Sequence, residues 1–353
     1  MKNYNTSGRR PSYFFNILIM LVIAAGIALV LTERGMPAKR PEIPMDGPAG
    51  GSAMNNPQTG ADDPEEQDSV YILPEPTQTS AGSNIVQSTQ ASGESTDPAP
   101  LTASADVEAL KEALQHFISR QEGKYGLYFK NLVTGQSIGI HDRDQFIAAS
   151  TTKLPMNLLL YRKVAAGEID LQQKLTYLQE DFEAGTGVIQ SSPYGTEYTV
   201  RETARLSIVC SDNCGINMII RLLGIENIRK YMQDLGGTVQ YERGHRSCPY
   251  DLALYAEELY RFYQQAPDVA GILMEDLMNT EWNDRINKLL PKDIRVPHKI
   301  GNYPGVYNDV GIVFASQPYV LAIMSDGVRP DAASDVIAQM SGIIYDEVEN
   351  SAE

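Results

Sequence analysis

Val310-Gly311-Ile312-Val313-Phe314-Ala315 and Tyr319-Val320-Leu321-Ala322-Ile323-Met324 are two short apolar runs separated by Ser316-Gln317-Pro318. Runs of this length, rich in β-branched residues, read as buried strands. The stretch Ala332–Glu347 follows and sets Val336, Ile337, Met340, Ile343 and Ile344 on one helical face. Far upstream, Val107, Leu110, Leu114, Phe117 and Ile118 recur at helical spacing. Gly126-Leu127-Tyr128-Phe129 and Gln136–Ile140 then flank Thr134-Gly135, the pattern of a hairpin. Between these ends lie helical stretches near Lys153–Ala166, Val200–Cys210, Gly215–Leu223, Ile225–Leu235 and Pro249–Gln264. The order predicts an α+β class: an antiparallel sheet built from both ends of the domain, flanking helices, and an inserted, mostly helical lobe.

The full chain has 353 residues, 29 Lys plus Arg and 45 Asp plus Glu, for a net charge of −16. That balance excludes an extended nucleic-acid surface, which needs clustered basic residues. Three cysteines, Cys210, Cys214 and Cys248, are too few for a disulfide scaffold and lack zinc-ribbon spacing. The charge falls into three zones. Residues 1–40 carry six basic and one acidic side chain, residues 41–100 ten acidic and none basic. The first zone contains Phe14–Leu31, apolar but for Asn16. Residues 13–32 therefore read as a transmembrane helix behind a short tail, 1–12; the apolar run Phe14–Leu31 alone spans roughly 27 Å as a helix. No small-x-small cleavage site follows. Lys2, Arg9 and Arg10 before it balance Arg34, Lys39 and Arg40 after it, so charge does not orient the span. Residues 33–102, rich in Pro, Ser, Thr and acid, read as a disordered linker that holds residues 103–353 away from the membrane.

Ser150-Thr151-Thr152-Lys153 lies where a strand hands over to a helix. Ser and Lys three apart share one helical face, with Cβ atoms roughly 5–6 Å apart. A desolvated lysine there can act as base and turn the hydroxyl into a nucleophile. Pro155 suits a first helical turn, which would set Ser150 at a helix N-terminus. About one such pair is expected by chance in a chain of this size. Ser211-Asp212-Asn213 and Lys299-Ile300-Gly301 follow in order. Each alone is ordinary: the first suits a helix cap, the second a strand. The order and spacing of the three together carry the argument.

That trio resembles the penicillin-recognising serine hydrolases, and within them the class A β-lactamases, over about residues 104–345. Tyr198-Thr199-Val200-Arg201-Glu202 and Pro249-Tyr250-Asp251-Leu252-Ala253 extend the likeness. The resemblance implies an extracytoplasmic, membrane-tethered serine acyl hydrolase. It would act on β-lactams or D-Ala-D-Ala peptides of the cell wall through an acyl-serine. It also implies the roles. Ser150 would be the nucleophile and Lys153 its base. Ser211 would relay a proton to the leaving nitrogen. Asn213, Lys299 and Gly301 would bind substrate, Asn213 also orienting Lys153. The backbone N–H groups of Ser150 and Asn302 would form the oxyanion hole. No cofactor or metal is expected.

Two departures stand out. The family's deacylating glutamate sits in Glu-x-x-Leu-Asn, which is absent between Gly237 and Pro249; Glu242 is the nearest carboxylate. Slow deacylation is therefore expected, or a binding and sensing module with little turnover. Ile300 stands where the family has Thr or Ser and cannot bond a carboxylate; Arg295 is a candidate to compensate. Gly185-Thr186-Gly187-Val188-Ile189-Gln190 lacks a dinucleotide fingerprint's third glycine and reads as a loop at the cleft rim. His116, His141, His245 and His298 show no ligand spacing, and His298 reads as structural or solvated as readily as cleft-lining. Trp282 reads as packing. A disulfide to Cys248 is open.

Overall fold

The computed structural model describes residues 102–241 and 245–351. The expected membrane span and linker lie outside the described residues. Among the described residues, no helix is long and apolar enough to cross a membrane.

The fold begins with α1 (Thr102–Ile118), then the hairpin β1 (Lys124–Asn131) and β2 (Ser137–Ile140). Next come β3 (Phe146–Ile147), a 3-10 turn (Ala149–Thr152) and α2 (Lys153–Ala165). The helical lobe continues with β4 (Lys174–Thr176), β5 (Glu197–Thr199), α3 (Val200–Val209), α4 (Asn213–Leu223) and α5 (Ile225–Asp234). After β6 (Arg246–Ser247) it closes with α6 (Pro249–Gln265) and α7 (Pro267–Met278). The chain then returns to the sheet through β7 (His298–Tyr303), β8 (Val306–Val313) and β9 (Tyr319–Asp326), and ends in α8 (Pro330–Asn350).

Local chemistry sets many of these boundaries. Thr199 caps α3, its hydroxyl accepting from Glu202 N at 3.0 Å. Helices α6, α7 and α8 each open on a proline, whose missing N–H has no partner to lose in a first turn. Helix α7 is absent from the helical stretches read in the sequence, where a proline such as Pro267 can end one helix as readily as open another. In fact it restarts a helix whose Ala270, Leu273, Met274 and Leu277 are buried.

The five-stranded sheet runs β2-β1-β9-β8-β7, every pairing antiparallel. Strand β9 pairs with β1 on one side (Leu127 opposite Ile323) and β8 on the other (Val310 opposite Ala322). Its alternate residues enter two cores. Tyr319, Leu321 and Ile323 pack with α1 and α8, while Val320, Ala322 and Met324 pack with the helical lobe. A strand buried on both faces must be a continuous apolar run, as the sequence shows. The α+β architecture is thus the expected one: both ends of the domain supply the sheet and the lobe is inserted between β3 and β7.

Two buried polar residues interrupt β8. Asn308 donates to the carbonyls of Ile147 and Ala148 at 2.8 and 3.1 Å and accepts from Ser325 N at 3.0 Å. Asp309 bonds His298 Nδ1 at 2.9 Å, both side chains fully buried. Burial alone would raise the Asp309 pKa, but the bonded imidazole and nearby Arg285 outweigh it and hold the carboxyl below its ordinary value. Replacing Asp309 by Ala strands His298 and the Ile286 N–H that also reaches Asp309 at 3.2 Å. We expect a loss of about 3 kcal/mol, seen as a lower urea midpoint at unchanged slope.

Candidate active site

Ser150 lies inside the 3-10 turn that precedes α2, not in the first turn of the α-helix itself. Ala149, just before it, is held at φ +49°, a conformation that costs energy without a glycine. The surroundings fix it there. The Ala148 carbonyl accepts from Thr151 N, from the Thr151 hydroxyl at 2.7 Å and from Asn308 Nδ2. Gly301 of β7 approaches the same turn: a Cβ at this position would lie 2.4 Å from Ala148 O. Only glycine permits strand and turn to touch.

Lys153 follows one turn later, 4% exposed. Its Nζ donates to Ser211 O at 2.5 Å, Ser211 Oγ at 3.2 Å and Asn213 Oδ1 at 2.8 Å. Lys299, fully buried, donates to the same Ser211 Oγ at 3.1 Å. Two amines thus converge on one hydroxyl. Burial lowers both: Lys153 to about 8, and Lys299 well below its ordinary value, helped by repulsion from Lys153.

Ser211 carries φ +54°. Its carbonyl accepts from Lys153 and from Thr186 Oγ1 at 2.7 Å. Asp212 caps α4, accepting from Gly215 N at 2.8 Å, and also takes Val188 N and Ile189 N at 2.6 and 2.9 Å. Gly187 lies so close that a Cβ would sit 2.2 Å from Asp212 Cγ. The tripeptide is therefore a helix cap and part of a polar cluster at once. Its aspartate also draws the 185–190 loop to the rim, where Gly185 and Thr186 line the cleft.

The cleft encloses about 620 Å³, ample for a small bicyclic ligand. Ser150, Lys153, Ser211, Asn213, Ile300 and Asn302 all line it. Lys299 reaches it through Ser211, and Gly301 supports it from behind. Asn302 lies on β7, the edge strand, and its Oδ1 accepts from Arg285 Nη2 at 2.5 Å. Buried Arg285 also donates to Asn308 O at 2.7 Å, bracing the end of the strand. Arg285 and Asn308 were invisible to motif reading; two polar residues inside the apolar run of β8 were the available signal.

Some expectations change. Trp282 lines the cleft, its ring centroid 5.9 Å from Lys299 Nζ, so it is more than packing. Arg295 is not among the lining residues; its guanidinium stacks 4.6 Å from the Phe314 ring. His298 is a buried structural residue bonded to Asp309. Cys210, Cys214 and Cys248 are buried thiols with no disulfide among them. Among the described residues, no group of His, Cys, Asp and Glu could hold a metal. Glu242 lies outside the described residues.

A model of the "Beta-lactamase enzyme family" matches residues 109–348. The chain belongs to the β-lactamase enzyme family. It is 27% identical to Beta-lactamase 3 of Bacillus cereus over 246 residues, 63% of this chain and 76% of that protein. It is 26% identical to the β-lactamase of Bacillus licheniformis, over 63% of this chain and 78% of that one. Among solved structures it resembles PBP-A, with TM-score 0.65 and 28% identity, covering 69% of this chain and 96% of PBP-A. A PBP-A mutant has been solved as an acyl-enzyme complex with penicillin G.

Two measurements probe the site of this family member. The neutral fraction of an amine with pKa about 8 falls tenfold per pH unit below that value. With Lys153 as the base, the rate constant for reaction with a β-lactam would therefore rise about tenfold per unit up to pH 8 and level off above it. Gly301→Ala should lower that constant about 100-fold by forcing β7 off the Ser150 turn, with the far-ultraviolet circular dichroism unchanged.

Proposed function

We propose that this protein is a serine acyl hydrolase acting on β-lactams or the D-Ala-D-Ala peptides they mimic. The observation that carries the reading is the buried pair of amines, Lys153 and Lys299, on the Ser211 hydroxyl in the cleft that holds Ser150. Neutral Lys153 takes the Ser150 proton as Oγ attacks the carbonyl carbon. The oxyanion is met by the N–H groups of Ser150 and Asn302, an arrangement worth roughly 10²–10³ in rate. The carbon–nitrogen bond breaks as Ser211 passes a proton to the leaving nitrogen, and Lys299 supplies compensating positive charge. Asn213 orients Lys153 and receives the ligand's amide. The acyl-enzyme state of PBP-A with penicillin G supports acylation as the shared chemistry.

Release of the acyl group is the slow half. No Glu-x-x-Leu-Asn precedes Pro249, so the family's carboxylate base is missing, and a less effective base slows release within the roughly 10²–10⁴ that general-base catalysis contributes. The same absence favours a second reading, a sensor that is acylated and turns over little. In either case the domain works outside the cytoplasm, tethered by residues 13–32 through the acidic linker.

Intact-mass spectra of the full chain with penicillin G provide the test. Wild type should gain one whole penicillin and keep it for many minutes, and Ser150→Ala should gain nothing. Absence of any adduct on wild type overturns the acylation chemistry, and rapid return to the unmodified mass overturns the slow release. Turnover of a chromogenic cephalosporin separates enzyme from sensor.

A further inference from the structure

His245 is a half-buried titratable side chain of the cleft that the acylation chemistry leaves unused. It lines the same cavity as Ser150, Lys153 and Glu183. It is anchored to the nucleophile's own segment, since the backbone N–H of Ala148 donates to His245 O at 2.5 Å, two residues before Ser150. Its φ of +47° marks a backbone held against its preference. The adjoining strand β6 pairs with β3, Ile147 opposite Arg246, so the segment is tied to the turn on both sides of the contact. The ring is oriented too. Nδ1 lies 3.1 Å from the Tyr241 hydroxyl, and the two rings meet edge to face at 5.4 Å.

From these contacts we infer that His245 is the general base of deacylation, with Tyr241 as its positioning residue. The inference rests on the acyl-serine reading above and specifies its second half. With Nδ1–H donated to the Tyr241 oxygen, Nε2 keeps its lone pair for a water in the cleft. That water gives a proton to Nε2 as its oxygen bonds to the acyl carbon. The tetrahedral intermediate collapses, the carbon–Oγ bond breaks, and the imidazolium proton returns to Ser150 Oγ. The products are a carboxylic acid and the original hydroxyl, so one water is consumed and nothing else.

The charges around the ring suit this cycle. Burial and the neighbouring Lys153 lower the His245 pKa, leaving the ring neutral and ready to accept at neutral pH, while Glu183 from the 177–195 loop favours the imidazolium once formed. Burial, then Glu183, pushes Tyr241 up to about 12, so it stays a phenol throughout. Among the described residues of this segment, the exposed Arg246 is the other charged group lining the cavity. The triad logic of base and orienting partner is met by residues from the short segment where the family's glutamate is missing.

The test is the lifetime of the penicillin G acyl-enzyme, followed by intact mass on the full chain. His245→Gln should still acquire the adduct, which also shows that it folds, and should hold it at least tenfold longer than wild type. The deacylation rate of wild type should rise with pH through a midpoint below 6.5, the value of an ordinary histidine, and His245→Gln should lose that step. Acylation with an unchanged lifetime in His245→Gln overturns the inference and leaves the acyl-serine reading intact. Absence of an adduct on wild type overturns both. If His245→Gln fails to acylate, Tyr241→Phe decides: a lifetime three- to tenfold longer supports the assignment, an unchanged one overturns it.

Discussion

Two buried amines on one hydroxyl cannot both stay protonated cheaply. In a low-dielectric pocket the like charges repel, and among the described residues neither ammonium has a carboxylate bonded to it. If both were charged, the Ser211 oxygen would accept from each and its own proton would have no amine to receive it. Removing one proton resolves the conflict, because the neutral amine becomes an acceptor. A cluster short of one proton has the capacity to take one up. Every other element near it keeps the three groups from relaxing apart. Asn213 and the Ser211 carbonyl hold Lys153, β7 delivers Lys299, and Asp212 fixes the start of α4.

Much of this was legible in the residues, and the reasons are physical. Strand β9 announced itself because both its faces are buried, which leaves no room for polar residues. The hairpin did so through Thr134-Gly135, and α3 through the Thr199–Glu202 cap. The three chemical signatures were legible because nothing in packing demands Ser, Lys, Ser, Asn and Lys at once. Helix α7 was hidden by a proline that can end one helix or open another. Strands β3 to β6 are two or three residues long and carry no period. The braces Asn308 and Arg285 were hidden for another reason: their partners are backbone carbonyls and an amide far off in sequence, and such contacts leave no local pattern.

The Ser-Asp-Asn tripeptide shows how a modest reading and a chemical one can both hold. Asp212 satisfies three backbone N–H groups, as a helix cap should, and by doing so it fixes Ser211 and Asn213 on either side. Its neighbours could not face Lys153 without it. Gly187 is then required for a reason unrelated to nucleotides: the loop must pass within van der Waals contact of a capped carboxylate. The glycines that looked like a cofactor fingerprint serve the cleft rim instead.

The pinning of the Ser150 turn by Asn308 and Gly301 also makes the cleft depend on strands that come late in the chain. Ribosomes release residue 150 long before strands β7 and β8, so the serine emerges on a chain that cannot yet hold its strained turn. Only when the last three strands close the sheet does Lys299 join Lys153 on the Ser211 hydroxyl beside that turn. A polypeptide cut short before that point carries Ser150 and Lys153 without the strands that brace their turn.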